Sequence, residues 1–199
     1  MEQIKEAIEQ ARAGQYLPIG RIAFEINKRN GYWDKPRTSN ECAVLADTEL
    51  AEIVEAYRKN MFADKYDLER VDLSDAIAYK INYEWHIKDT FQAEAAGFCI
   101  RCLDYLAYRA QGMTDENVAP QTRNVGTFYF ERSEFFDIMM GIKCGLFNCD
   151  VYRKSWDTYG IKAIEAFAER FKFDLWRFVE LELHYNAVRG SMKDQGKIA

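Results

Sequence analysis

Two acidic groupings carry the residue types best suited to chemistry. Glu49 and Glu52 stand three apart in the segment TELAEIVEAYRKN. On a helix of about 3.6 residues per turn, that spacing puts both carboxylates on neighbouring lines of one face. Carboxylates so placed can share a divalent cation. Mg2+ takes carboxylate and water oxygens in near-octahedral geometry, and substrate phosphates can complete its shell. The pair alone is a weak signal, because solvated helix faces are full of E-x-x-E and Glu52 points away from the Leu50/Ile53/Val54 face.

The second grouping lies in FQAEAAGFCIRCLDYLAY, which is otherwise apolar. Its exceptions, Glu94, Gly97, Arg101, Asp104 and Tyr108, follow the spacing i, i+3, i+7, i+10, i+14 and so form one stripe. A narrow polar stripe on an apolar helix marks a helix nearly surrounded by others. Charges on it are paired or ligating, because burying them alone is costly. Two readings stay open from the residues: a ligand set, or a structural network in which Arg101 pairs with Glu94 or Asp104.

These residues need helices to position them. Only three prolines and eleven glycines punctuate 199 residues, which favours long helices over many short strands. Helices are expected over residues 2–13 and 17–30, the second closed by Gly31. Thr38-Ser39-Asn40-Glu41 has the form of a capping box, so a helix should run from there to about residue 60. Leu50, Ile53, Val54 and Tyr57 give it an amphipathic face. Residues 61–73 are mixed and charged and read as a connection. A helix over 74–88, capped by Ser74, and another over 89–110, restarted by Asp89 with Gln92, should follow. Residues 112–126 read as a loop. Helices over 128–147 and 156–172 come next, and Asp174 begins the last one. The expectation is a single all-α domain over 1–199, with acidic core helices at about 39–110 and C-terminal helices at about 128–190.

Composition narrows the function classes. Apolar residues make up 48% and charged residues 30%, an ordinary globular balance with material for a core. The net charge of −5 gives no chain-wide basic footprint, so no nucleic-acid polymer is expected as a partner. Five cysteines read as reduced thiols in a cytoplasmic protein. Cys99 and Cys102 form a C-x-x-C without the second pair of a zinc site, so buried helix-face thiols are the favoured reading. Glu2, Lys5, Glu6 and Glu9 interrupt any leader-like apolar run, and no segment reaches the length of a membrane span.

Three blocks of the chain resemble the MazG-like branch of the all-α NTP pyrophosphatases. GYWDKPR followed by TELAEIVEAYRKN looks like the family's G-[FW]-W-D…ELxE-x-x-E-A-x-R-K block. KDTFQAEAAGFCIRCLDYLA is similar to its acidic ELADxxIRxLDLA helix, and DLWRFVELELHYNAVRG with a following QGK looks like its closing YNxxR…HGKK segment. In order, the blocks cover roughly residues 17–110 and 174–197. The resemblance implies a multi-helix bundle completed by dimerisation, in a homodimer or homotetramer. It also implies Mg2+-dependent cleavage of a nucleoside triphosphate to the monophosphate and pyrophosphate, with Mn2+ as a substitute cation.

The family's E-x-x-E carries over to Glu49 and Glu52, and the glutamate of its E-x-x-D to Glu94. These three are the candidate metal ligands and catalytic residues. The aspartate of E-x-x-D falls at Gly97, so one carboxylate of the set is missing. Arg189 and Lys197 are candidates for phosphate, Asn186 for a polar substrate contact, and Trp33 for base stacking. Asp104 completes the substrate-binding candidates. The plainer roles are an aromatic staple for Trp33, and a helix cap and surface charge for Asn186 and Arg189. The stretch between the two acidic helices is longer than usual. Glu182 stands where the family tends to have lysine, and Gln195 where it has histidine. With Gly97, the activity is kept, weakened or redirected; or the chain is a non-catalytic nucleotide-binding or partner-binding paralogue.

Overall fold

The structure is a computed structural model that describes residues 2–112, 134–148 and 155–190. Among the described residues every regular element is a helix and no strand occurs. In chain order these are α1 (Glu2–Arg12), α2 (Leu17–Arg29), α3 (Ser39–Arg58), α4 (Lys65–Glu69), α5 (Ala76–His86), α6 (Phe91–Arg109), α7 (Phe135–Asn148), α8 (Trp156–Phe171) and α9 (Leu175–Val188). None is long and apolar enough to cross a membrane. Cys149, Lys197 and most of the 112–126 segment lie outside the described residues, as does the first turn of the helix expected from 128.

Helix α6 is the axis of the bundle. It packs against α2, α3, α8 and α9, and twelve of its residues are buried, from Phe91 to Ala107. The half-exposed remainder includes Glu94, Gly97, Arg101 and Tyr108, the polar stripe apart from the fully buried Asp104. Alanines and the glycines Gly20 and Gly160 let the neighbours come close. A Cβ added to Gly20 of α2 would stand 2.8 Å from the Leu103 carbonyl oxygen of α6, so α2 rests directly on the α6 backbone. At the other end of α6, Phe91 is buried among the rings of Phe62, Phe135, Phe167, Phe171 and Phe173. Each such ring removes a large apolar area from water, and this cluster fixes where α6 begins.

Local signals set the boundaries. The Glu41 N–H donates to Thr38 Oγ1 at 3.2 Å, and the Thr38 N–H donates to Glu41 Oε2 at 2.7 Å, completing the capping box that starts α3. Gly31 takes φ +90° and closes α2. Asp174 accepts from the Arg177 N–H and caps α9.

Three expectations are corrected. The connection over 61–73 contains α4, a single turn opened by Asp64 and Asp67 in a capping box. Asp75 caps α5 in place of Ser74, accepting from the Ile77 and Ala78 N–H groups. Between α5 and α6, Asp89 sits at φ +64° and turns the chain, so Thr90 is the cap of α6. Gln92 is no capping partner. Its amide pairs with both backbone groups of Ala63, at 3.0 and 2.9 Å, and ties the end of α3 to the start of α6.

Candidate functional site

The two acidic groupings meet. Helix α3 turns its exposed face toward the half-exposed stripe of α6, and one carboxylate oxygen each from Glu49, Glu52 and Glu94 lie within 4.8 Å of one another. They line a pocket of about 220 Å3 at the junction of α2, α3, α6 and α9. Asn186 and Arg189 line the same pocket from the end of α9, with Glu182 one turn earlier. Lys88 and Asp89 reach it from the turn before α6, and Asn27 from α2.

Crowding three carboxylates in a half-buried pocket changes their acidity. Glu94 is pushed from its ordinary 4.5 up to about 9, first by burial, then by its hydrogen bond with Glu52 and by the charges of Glu52, Glu49 and Glu182. Two carboxyl groups can bond each other only if one holds a proton, so the raised values belong to the pair. Glu52 is also raised, by burial and by Glu49. Glu182 is raised by burial, while the Tyr83 hydroxyl, Arg189 and the Asn186 amide partly offset it.

Arg101 pairs neither with Glu94 nor with Asp104. Its Nε donates to Glu49 Oε1 at 2.8 Å, and its guanidinium lies over the Tyr32 ring at 4.6 Å. Burial works against that charge, but Glu49, Tyr32 and Asp104 outweigh it and hold the Arg101 pKa above its ordinary value. Glu49 is therefore an ion-pair partner and a member of the acidic triad at once.

Trp33 and Asp104 are not brought to this pocket. Asp104 is 1% exposed and accepts from Asn27 Nδ2 at 2.9 Å and Trp33 Nε1 at 2.8 Å. Burial pushes its carboxyl up to about 6 against those bonds and Arg101. The Trp33 ring stacks on Tyr108 with centroids 4.2 Å apart, which is the staple geometry. Asn186 is no helix cap. Its Nδ2 donates to Glu182 Oε1 at 3.0 Å, and its backbone carbonyl oxygen accepts from Asn30 Nδ2 at 2.7 Å. Cys99 and Cys102 are fully buried on the core side of α6, and burial pushes both thiols well above their ordinary pKa.

Sequence reasoning missed Asn27, Lys88, Asp89 and the pocket position of Glu182. Asn27 carried a readable signal, since it interrupts the buried face of α2 that Gly20, Ala23 and Asn30 share. Nothing local marks the others, because they enter through the turn before α6 and the tilt of α9.

Compared with protein-family models, curated proteins and solved structures, the chain matches none.

The donor set fits a hard divalent cation. All three ligand candidates are carboxylates, with no thiol or imidazole among them. A Mg2+ ion with bonds of about 2.1 Å spaces its ligands roughly 3 to 4 Å apart, so a small rotation of these side chains suffices. Neighbouring carboxylate charge pushes both Glu52 and Glu94 up, and that repulsion is one a cation would relieve.

Proposed function

We propose that this chain is a MazG-like, Mg2+-dependent nucleoside triphosphate pyrophosphohydrolase, working as a homodimer or homotetramer and accepting Mn2+ in place of Mg2+. The observation that carries the reading is the convergence of Glu49 and Glu52 from α3 with Glu94 from α6 in one pocket. That meeting matches the role the sequence resemblance gives these three residues. Held there, Mg2+ would supply charge neutralisation on the phosphates of the substrate.

The chain's own residues have separable tasks. Glu49, Glu52 and Glu94 form the cation site, and Glu52, at the exposed mouth, is best placed to accept a proton from an attacking water. Lys88 and Arg189 bring positive charge to the same pocket and orient the phosphates, while Arg101 engages Glu49. Asn186 offers a polar contact deeper in, and Trp33 with Asp104 buttresses the Arg101 side of the pocket without touching substrate. Ile77, Ile81 and Trp85 form an exposed apolar line along α5, which supports assembly with further copies.

The test is pyrophosphate release with Mg2+ or Mn2+ across ribo- and deoxynucleoside triphosphates, with Glu52→Gln as the control. Release that vanishes in the control is the expected result. A folded protein that releases no pyrophosphate from any of them overturns the enzymatic reading. A second reading, a non-catalytic nucleotide-binding or partner-binding paralogue, draws on Gly97 and on the Arg101 contact that engages one oxygen of Glu49. It predicts nucleotide binding without release.

A further inference from the structure

Gly97 leaves the α6 surface bare where it faces Glu49. A Cβ placed there would stand 2.9 Å from Glu49 Oε2, so the carboxylate lies in the room that a side chain would take. The other oxygen, Oε1, accepts from Arg101 Nε at 2.8 Å. Arg101 stands one turn further along the same stripe and is itself fixed, its guanidinium 4.6 Å from the centre of the Tyr32 ring. Glu49 is thus held between a helix backbone and a guanidinium, with oxygens of Glu52 and Glu94 within 4.8 Å of its own.

We propose that Gly97 and Arg101 are positioning residues of the cation site, Gly97 by leaving the space that Glu49 fills and Arg101 by holding Glu49 in it. The inference rests on the cation-site reading given above. It reverses the meaning of the missing carboxylate. Glycine at 97 is the room that lets Glu49 serve, and not merely a ligand lost. Counting ligands alone, an aspartate at 97 strengthens cation binding. In the geometry found here it expels Glu49 and weakens it. The displaced atom is the end of a flexible side chain, so the fold tolerates a Cβ at 97 while the site does not.

The experiment is a titration of the full chain with Mn2+ alone, without nucleotide, followed by calorimetry. The proteins are wild type, Gly97→Ala, Gly97→Asp, Glu49→Gln and the Gly97→Ala/Glu49→Gln double variant. Each position-97 variant is expected to bind Mn2+ at least about tenfold more weakly, the scale on which misplaced ligand supports act. Thermal melting of Gly97→Ala is expected not to fall, which separates the site from the fold. Because the effect passes through Glu49, adding Gly97→Ala to Glu49→Gln should cause no further loss. Binding by Gly97→Asp as tight as wild type or tighter overturns the inference, as do losses that simply add in the double variant. If folded wild type binds no Mn2+, the cation-site reading itself fails and takes this inference with it.

Discussion

Replacing Glu94 with glutamine tests the electrostatics of the triad without any assumption about catalysis. The carboxyl is pushed from 4.5 up to about 9 in the folded chain, with burial the largest cause. Between those values the folded state holds a proton that the unfolded state has released. Stability is therefore full below about pH 4.5 and falls as pH rises toward 9. Carried to pH 8, a shift of that size corresponds to roughly 5 kcal/mol at about 1.4 kcal/mol per pH unit. Glu94 is only half-buried and water screens it, so about 1–2 kcal/mol is the realistic share. Glutamine keeps the shape and cannot ionise, so it removes that penalty.

Glu94→Gln should therefore melt higher than wild type at pH 8 in the presence of a chelator, by about 3–6 °C for a chain of this length. The gap should close toward pH 5, where both side chains are neutral. Saturating Mg2+ at pH 8 should raise wild type and leave the variant nearly unmoved, because a ligand stabilises only the state that binds it. Thermal scans across pH 5–9, with chelator and with Mg2+, measure all three. A variant that melts below wild type at pH 8, or a gap that ignores pH, refutes the argument built on the raised Glu94 carboxyl.

Two further changes probe the scaffold. Gly20→Ala puts a Cβ 2.8 Å from the Leu103 carbonyl oxygen, a backbone atom in mid-helix that cannot swing aside. Overpacking of about 1–3 kcal/mol should outweigh the helix-propensity gain of about 1 kcal/mol, and denaturant unfolding that finds Gly20→Ala stabilised contradicts the close α2–α6 contact. Trp33→Phe keeps the stack on Tyr108 but removes the donor to Asp104 Oδ1. It should destabilise by about 1–3 kcal/mol at neutral pH and less at pH 5, since the unsupported carboxylate takes up a proton more readily; a pH-independent loss, read by the same unfolding, goes against the role given to Asp104.

What the sequence made legible was local. The Thr38/Glu41 box, the Gly31 stop and the Asp174 cap each act within one helical turn, and each appears where its residues stand. The errors of one residue, Ser74 for Asp75 and Asp89 for Thr90, arose where two capping residues are adjacent and only the backbone decides between them. Helix α4 was unreadable because a single turn is too short for any hydrophobic period to show. The stripe on α6 revealed which face meets polar neighbours, but not which neighbours. Arg101 has acidic residues at positions 94 and 104 of its own helix, yet it pairs with Glu49, fifty-two residues away, because α3 packs against that face. Asp104 is turned toward Asn27 and Trp33 by the close approach of α2. Both outcomes belong to helix packing, and no spacing within one helix encodes them.

The site also runs against the interests of the fold. A bundle built for stability alone would not bring three carboxylates within 4.8 Å in a half-buried pocket, keep a proton there at neutral pH, and place glycine in the middle of its central helix. Elsewhere α3, α4, α5, α6 and α9 each start on a capping side chain, the core is aromatic, and Asp104 has two donors for its two oxygens. The three departures at the pocket concern the same few side chains. Under the proposed reading, a bound cation would offset that cost. Glu49 is where these features meet: its Oε2 lies against the bare Gly97 backbone, its Oε1 accepts from Arg101, and oxygens of Glu52 and Glu94 lie within 4.8 Å of its own.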